Sequence, residues 1–370
     1  SRGWASDRRH YFVIRFSRPM KSWITASSQA KSENGSPAFP VGYGTASFDV
    51  TTDTVVGVRM ALSSVSLAGA MANLDSESAG RSFEQVKTSA DSVWNAALSR
   101  VEATFDCERE RRIFYTALYH TMIHPTLYGD SDRSYRGSDG NKHRSDGFDN
   151  YTTFSLWDTY RALHPLFTLV YPELQHDWAQ SLLVAERAYE AMKHSMSHGF
   201  RGLPYLNEMG YVPCDKVKES VSVSLENYIA FAGVARVAKL LGRDAESAHY
   251  DSLSRSYVKL YDRKAGFFRG RLSTGEFRPG DFHPGHHTED FTEGTAWQYL
   301  WLVPHDVDGL ISLVGGAERF EQRLDSLFIV SSDLGESTQP DITGLIGQYA
   351  HGNEPSHHII YMYNRIGKPW

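Results

Sequence analysis

Two cysteines, Cys107 and Cys214, stand far apart in the 370 residues and form no CxxC or zinc-ligand spacing. They can be free or paired, and they say little about redox compartment. No apolar run reaches the 18 residues that a membrane-crossing helix needs. No basic run stands out either. The net charge of −6 comes from interspersed charges of both signs, which argues against nucleic acid and anionic membranes as partners. There is no starting Met and no visible signal peptide. The opening Ser1-Arg2-Gly3-Trp4 enters mid-fold, so the missing leader carries no information about location. No internal repeat is obvious, which disfavours a solenoid.

The length suggests two domains. With 41% hydrophobic and 22% charged residues, the chain is globular and not disordered. Aromatics reach 13%. That abundance suits a sugar-binding cleft, where rings pack on the C–H face of a pyranose, and a large aromatic core explains it equally well.

Residues 1–70 read as β structure. Tyr11–Ser17, Ala46–Val50 and Val55–Leu62 have strand character, with a turn at Thr51–Thr54 and a loop at Ala26–Pro40. Two or three strands do not make a stable sandwich alone. From about residue 80 the pattern turns helical. A linker helix is expected over Phe83–Glu102, and another opens at Glu108. Further helices are expected at 155–171, 173–194, 219–241, 244–261, 293–302, 306–314, 316–330 and 355–366. Eight or more helices separated by long loops suggest an α/α barrel.

Several stretches have residues suited to chemistry. In Asp290–Tyr299, Glu293 stands where a loop becomes an apolar helix, beside Trp297. Apolar contact would raise its pKa and make it a general acid. Alternatively, it is a carboxylate serving the first turn of that helix. In Tyr151–Ala162, Trp157 and Asp158 pair an indole face with a hydroxyl acceptor, as a sugar site requires. Ser155 could instead cap the helix with Trp157 in the core, or Asp158 could pair with Arg161. The loop after His124 holds Asp130, Asp132 and Arg133 and reads as a solvated loop or a cleft rim. Glu208 and Tyr211 sit in a Gly/Pro-rich loop, 199–213, and could line a cleft. In His351–His358, Asn353 and Glu354 offer hard oxygen ligands of the kind Ca²⁺ takes. The other reading is a helix start, with Asn353 as cap and Pro355 near the first turn. His357 and His358 invite zinc, but no HExxH or cysteine partner supports it.

Together, Thr153–Arg161, Asp290–Tyr299 with Val303–Asp306, and Gly352–His358 with Tyr361–Asn364 and Pro369-Trp370 resemble glycoside hydrolase family 92, the calcium-dependent exo-acting α-mannosidases. Val221–Glu226 and Gly266–Gly270 are similar too. The resemblance implies a multi-domain fold: later strands of an N-terminal β-sandwich over residues 1–75, a linker helix over 76–104, and a truncated (α/α)₆ barrel over 105–370. It implies removal of terminal α-linked mannose from glycans, with inversion, at an extracellular or periplasmic site. Glu293 would be the acid, and Asn353 and Glu354 part of the Ca²⁺ site. Trp157, Asp158, Trp297, His357 and His358 would line the sugar subsite. The partner carboxylate of an inverting pair stands roughly 6.5–9.5 Å away. In the family it lies in a Gly-Asn-Asp-Asp-Cys-Gly-like stretch beyond the Pro-Trp. The base and a further calcium ligand are therefore expected past residue 370, and the chain is expected to be an internal piece, inactive alone. Members cutting α-1,2 bonds often carry His-Glu shortly before Asn-Glu-Pro; Gln348-Tyr349 stand in that region here. A non-catalytic mannose-binding homologue and another (α/α)₆ hydrolase or phosphorylase are the alternatives.

Overall fold

The computed structural model describes residues 9–29, 40–51, 54–137, 140–152, 154–182, 189–190, 192–195, 201–336 and 339–369. Contacts divide the chain into two compact units. One comprises 1–155 with 163–181, and the other 156–162 with 182–370. Both cysteines are free. No helix among the described residues is long and apolar enough to cross a membrane.

The first unit opens with β1 (Tyr11–Phe16), β2 (Ser22–Gln29), β3 (Pro40–Ser47) and β4 (Val58–Ser63). They form two antiparallel pairs, β1 with β4 and β2 with β3, with Tyr11 opposite Ser63 and Trp23 opposite Ala46. β2 runs through Ala26–Gln29, where a loop was expected to begin, and β3 starts at Pro40, where it was expected to end; 30–39 lie outside the described residues. The β region also ends sooner than its composition suggests. Ser66 caps α1 (Leu67–Ser78) by accepting from Gly69 N at 3.0 Å. α2 (Phe83–Leu98) starts at a Ser82–Gln85 capping box and α3 (Glu108–Thr121) carries Glu108 and Glu110 in its first turn.

A buried carboxylate joins these elements. Asp130 accepts from Ser63 Oγ at 2.7 Å and from Asn73 Nδ2 at 3.0 Å. Gly69 makes this approach possible, since a Cβ there would lie 2.3 Å from Asp130 Oδ2. Asp130 is thus neither a solvated loop residue nor a cleft rim: it ties β4 to α1. Farther on, Phe167, Tyr171 and Trp178 form a small core, and Tyr171 donates to Ala97 O at the end of α2.

The second unit has a larger core, centred on the helix Ser220–Leu240. That helix is apolar around most of its circumference and buries Val221, Leu225, Tyr228 and Phe231. Trp301, Phe320 and Leu324 pack in the same core. Val307–Val314 begins at an Asp306 cap and closes on Gly315 at φ 108°; Ala317–Ile329 follows.

Several expected helices are shorter or differently built. The 155–171 segment breaks into Leu156–Thr159 and Leu163–Val170. Pro165, in the first turn of the second piece, has no N–H to bond back across the break. Part of the helix expected at 173–194 lies outside the described residues; Pro172–Leu182 is helical. Within 199–213 a helix, Leu203–Met209, stands between two left-handed glycines, Gly202 and Gly210. Tyr211 is core, donating to Leu272 O at 2.9 Å, so it does not line a cleft. The 355–366 segment is 3₁₀ helix, in two pieces, Glu354–Ser356 and Ile359–Ile366.

Candidate active site

The helix after Glu293 starts later than expected. It covers Ala296–Tyr299 and opens at a Thr295–Gln298 capping box. Glu293 therefore lies outside the helix, and the first-turn reading of its carboxylate falls. Its backbone takes φ 47°, a left-handed conformation that costs a residue with a Cβ roughly 1–2 kcal/mol.

Neighbouring bonds hold it there. Just upstream, Asp290 is buried and gripped by Arg278 at 2.8 and 3.0 Å. The carbonyl of Asp290 accepts from Val221 N at 3.1 Å, at the start of the long buried helix. Thr292 N donates to Ser222 Oγ at 2.8 Å, and Thr292 O accepts from Tyr299 OH at 2.7 Å. Asn353 Nδ2 donates to the carbonyl of Glu293 at 2.9 Å and reaches its Oε2 at 3.5 Å. On the other side, His287 donates through Nδ1 to Gly294 O at 2.8 Å.

The half-buried carboxyl of Glu293 has a raised pKa. Loss of solvent is the main cause, followed by repulsion from Asp341; Glu354 and Glu219 add to the repulsion, while the Asn353 hydrogen bond opposes it. A carboxyl held towards its protonated form on a pinned loop can deliver a proton.

In the same unit, Trp157 is 41% exposed. Its Nε1 donates to Glu226 Oε1 at 3.2 Å, and Arg161 Nη2 donates to the same oxygen at 2.9 Å. Asp158 is exposed next to it. Trp297 is half-buried, edge-on to Phe267 with ring centres 4.8 Å apart.

A model of the glycosyl hydrolase family 92 catalytic domain matches residues 69–187 and 183–370. The chain belongs to glycosyl hydrolase family 92. A solved family GH92 α-mannosidase, BT3965 from Bacteroides thetaiotaomicron, is 34% identical with a TM-score of 0.85, over 98% of this chain and 55% of that one. The GH92 inverting mannosidase BT2199 from Bacteroides thetaiotaomicron VPI-5482 is 28% identical, with a TM-score of 0.78, over 97% and 57%. An uncharacterized secreted glycosidase of Arthroderma benhamiae is 23% identical over 85% of this chain and 45% of its own length. The chain thus spans about half the length of the relatives it matches. It shares the fold of the family's α-mannosidases, although among the described residues its sheets are two-stranded and no closed barrel is seen.

Family 92 enzymes are generally calcium-dependent, so the donors here bear on that ion. Asn353 is buried; its Oδ1 accepts from Glu354 N at 3.1 Å, capping the 3₁₀ turn, and its Nδ2 is spent on Glu293. Glu354 offers one half-buried carboxylate. Among the described residues no three His, Cys, Asp or Glu converge on one point. Since Ca²⁺ takes six to eight oxygens, these two residues do not by themselves make its site. The helix-start reading of Asn353 is the one its bonds display, over a 3₁₀ turn.

The two histidines are also engaged. His357 donates through Nε2 to His351 O at 3.0 Å, and His358 through Nε2 to Trp301 O at 2.7 Å. Burial lowers the pKa of His358 to about 4, so its ring is neutral at pH 7. Gln348 is buried: it accepts from Thr295 Oγ1 at 3.0 Å and donates to Ser331 O and Asp333 O. Tyr349 is buried as well and meets His351 Nδ1 at 3.0 Å. The Gln348-Tyr349 pair therefore serves the local fold. Sequence reading did not single out Ser222, Tyr299 or Glu226 as parts of the site. Glu226 had a usable signal: a carboxylate inside the otherwise apolar helix Ser220–Leu240.

Proposed function

We propose that the polypeptide containing this chain removes terminal α-linked mannose from glycans with inversion, Glu293 serving as general acid. The observation that carries the reading is the raised pKa of Glu293 on a left-handed backbone held by Asn353, Ser222 and Tyr299, in a chain of this family. Protonated Glu293 would hand its proton to the glycosidic oxygen as the C–O bond breaks, while a carboxylate on the opposite face draws a proton from the attacking water. No carboxylate of this chain is assigned as that base. We expect it, with the remaining calcium ligands, in the half of the relatives' length that the chain does not span. When bound, the cation would grip sugar hydroxyls and favour a flattened ring. From this chain Glu354 and the second lone pair of Asn353 Oδ1 would reach it. Asp158 and Trp157 would receive the sugar. The finer architecture proposed is a β-sandwich with an (α/α)₆ barrel, and the location extracellular, supported by the secreted fungal relative.

The test is release of mannose from an α-mannoside by the full-length protein. Glu293→Gln keeps the shape and removes the proton, and is expected to cost roughly 10²–10⁴ in kcat. Because the acid must be protonated, the rate should fall as pH rises through its raised pKa. Undiminished turnover by Glu293→Gln overturns the assignment.

A further inference from the structure

We propose that Glu226, locked in place by Trp157 and Arg161, is a specificity-determining acceptor for a hydroxyl of the bound sugar. The inference rests on the mannoside reading and adds a residue to it. Arg161 is 97% buried, since 3% of its side chain is exposed. Its guanidinium lies over the rings of Trp157 and Tyr160, at 4.6 and 4.9 Å. Its Nε donates to Trp157 O at 3.1 Å and its Nη2 to Glu226 Oε1 at 2.9 Å. Trp157 Nε1 donates to that same oxygen at 3.2 Å. Two donors thus converge on Oε1, and Oε2 takes part in neither bond. Glu226 keeps 22% of its side chain exposed. The result is an oriented carboxylate oxygen beside a tryptophan that is itself 41% exposed, with Arg161 over one side of its ring.

A pair serving stability alone would satisfy its own atoms, because an unmet buried donor is costly. This one does not. Among the described residues, Arg161 Nη1 is buried without a partner, as is the hydroxyl of the neighbouring Tyr160. The corner is also coupled to the acid's loop: Glu226, Arg161 and Glu293 all act electrostatically on Tyr299, whose hydroxyl holds the residue before Glu293. An aromatic platform with a fixed charged acceptor at its edge recognises a neutral polyol ring: the C–H face stacks and one hydroxyl donates. Deleting a hydroxyl that a site is built to bond leaves the site's own group unpaired, so discrimination is large.

The experiment is calorimetric binding of methyl α-mannoside and its four monodeoxy analogues to the full-length protein, for wild type, Glu226→Gln and Trp157→Phe. One hydroxyl deletion is expected to weaken wild-type binding by about tenfold or more and Glu226→Gln by less than about threefold. Trp157→Phe keeps the ion pair and loses the indole N–H. It should shrink the penalty for that same hydroxyl and leave the others unchanged. If Glu226→Gln does not fold, the Trp157→Phe series decides alone. Equal deoxy penalties in wild type and variants overturn the role of Glu226 while leaving the mannoside reading intact. Failure of wild type to bind any mannoside overturns both.

Discussion

His358 makes a pH-dependent contribution to stability whose size follows from its surroundings. Burial drives its pKa from 6.5 down to about 4, with the positive charge of Arg161 and the neighbouring His357 acting in the same direction and the Trp301 carbonyl opposing them. The folded state therefore binds its proton less readily than the unfolded state. The contribution is complete above about pH 6.5 and is lost as pH falls towards 4, because the unfolded chain is protonated first. Each unit of difference is worth ~1.4 kcal/mol, so between pH 7.5 and pH 4.5 this residue should remove about 2–3 kcal/mol. His358→Gln keeps an N–H donor for Trp301 O and cannot titrate. Urea unfolding at both pH values is the assay. Wild type should lose about 2–3 kcal/mol more than the variant, or roughly 4–12 °C in Tm. Comparison with the variant cancels the other histidines, including His305 and His164, whose pKa values burial also lowers. Equal losses in wild type and His358→Gln would show that the ring is not held neutral by the fold.

Gln348→Ala should destabilise by about 2–3 kcal/mol, because Thr295 loses a buried acceptor and the 331–333 segment loses its anchor; urea midpoints measure it. If Gln348 instead set linkage preference, the substitution would change the ratio of α-1,2 to other linkages cleaved at unchanged stability. EDTA should abolish mannose release by the full-length protein and added Ca²⁺ should restore it. Activity indifferent to both would remove calcium from the proposal.

What was legible in the sequence was local. Asp306 and Gly315 bracket a helix because a capping side chain and a left-handed glycine act within one turn. Asn353 reads as a cap for the same reason, and it is one. The burial of Asp130 was not legible, because it depends on Gly69 coming within reach from 61 residues away in sequence. The division of 155–171 had its sign in Pro165. The pairing of Arg161 with Glu226 had none at the arginine itself, since its near neighbour Asp158 is an equally good partner on spacing alone.

Glu293 shows how the two kinds of information meet. Thr295 and Gln298 stand at capping-box spacing, a local signal that the helix starts after Glu293, yet the apolar run beyond it suggested an earlier start. Once the cap fixes the boundary, Glu293 has no helix to stabilise, and its left-handed backbone carries a cost with no return in local structure. Groups outside the loop sustain that cost: Tyr299 nearby and Ser222 far off in sequence grip Thr292, and the equally distant Asn353 grips Glu293 itself. Loss of solvent, and after it the charges of Asp341, Glu354 and Glu219, then raise its pKa. A residue strained by its own backbone, restrained by remote side chains and surrounded by like charge is poorly explained as scaffold. On the proposed reading as general acid, the restraint fixes the direction of the carboxyl and its raised pKa holds it towards the protonated form.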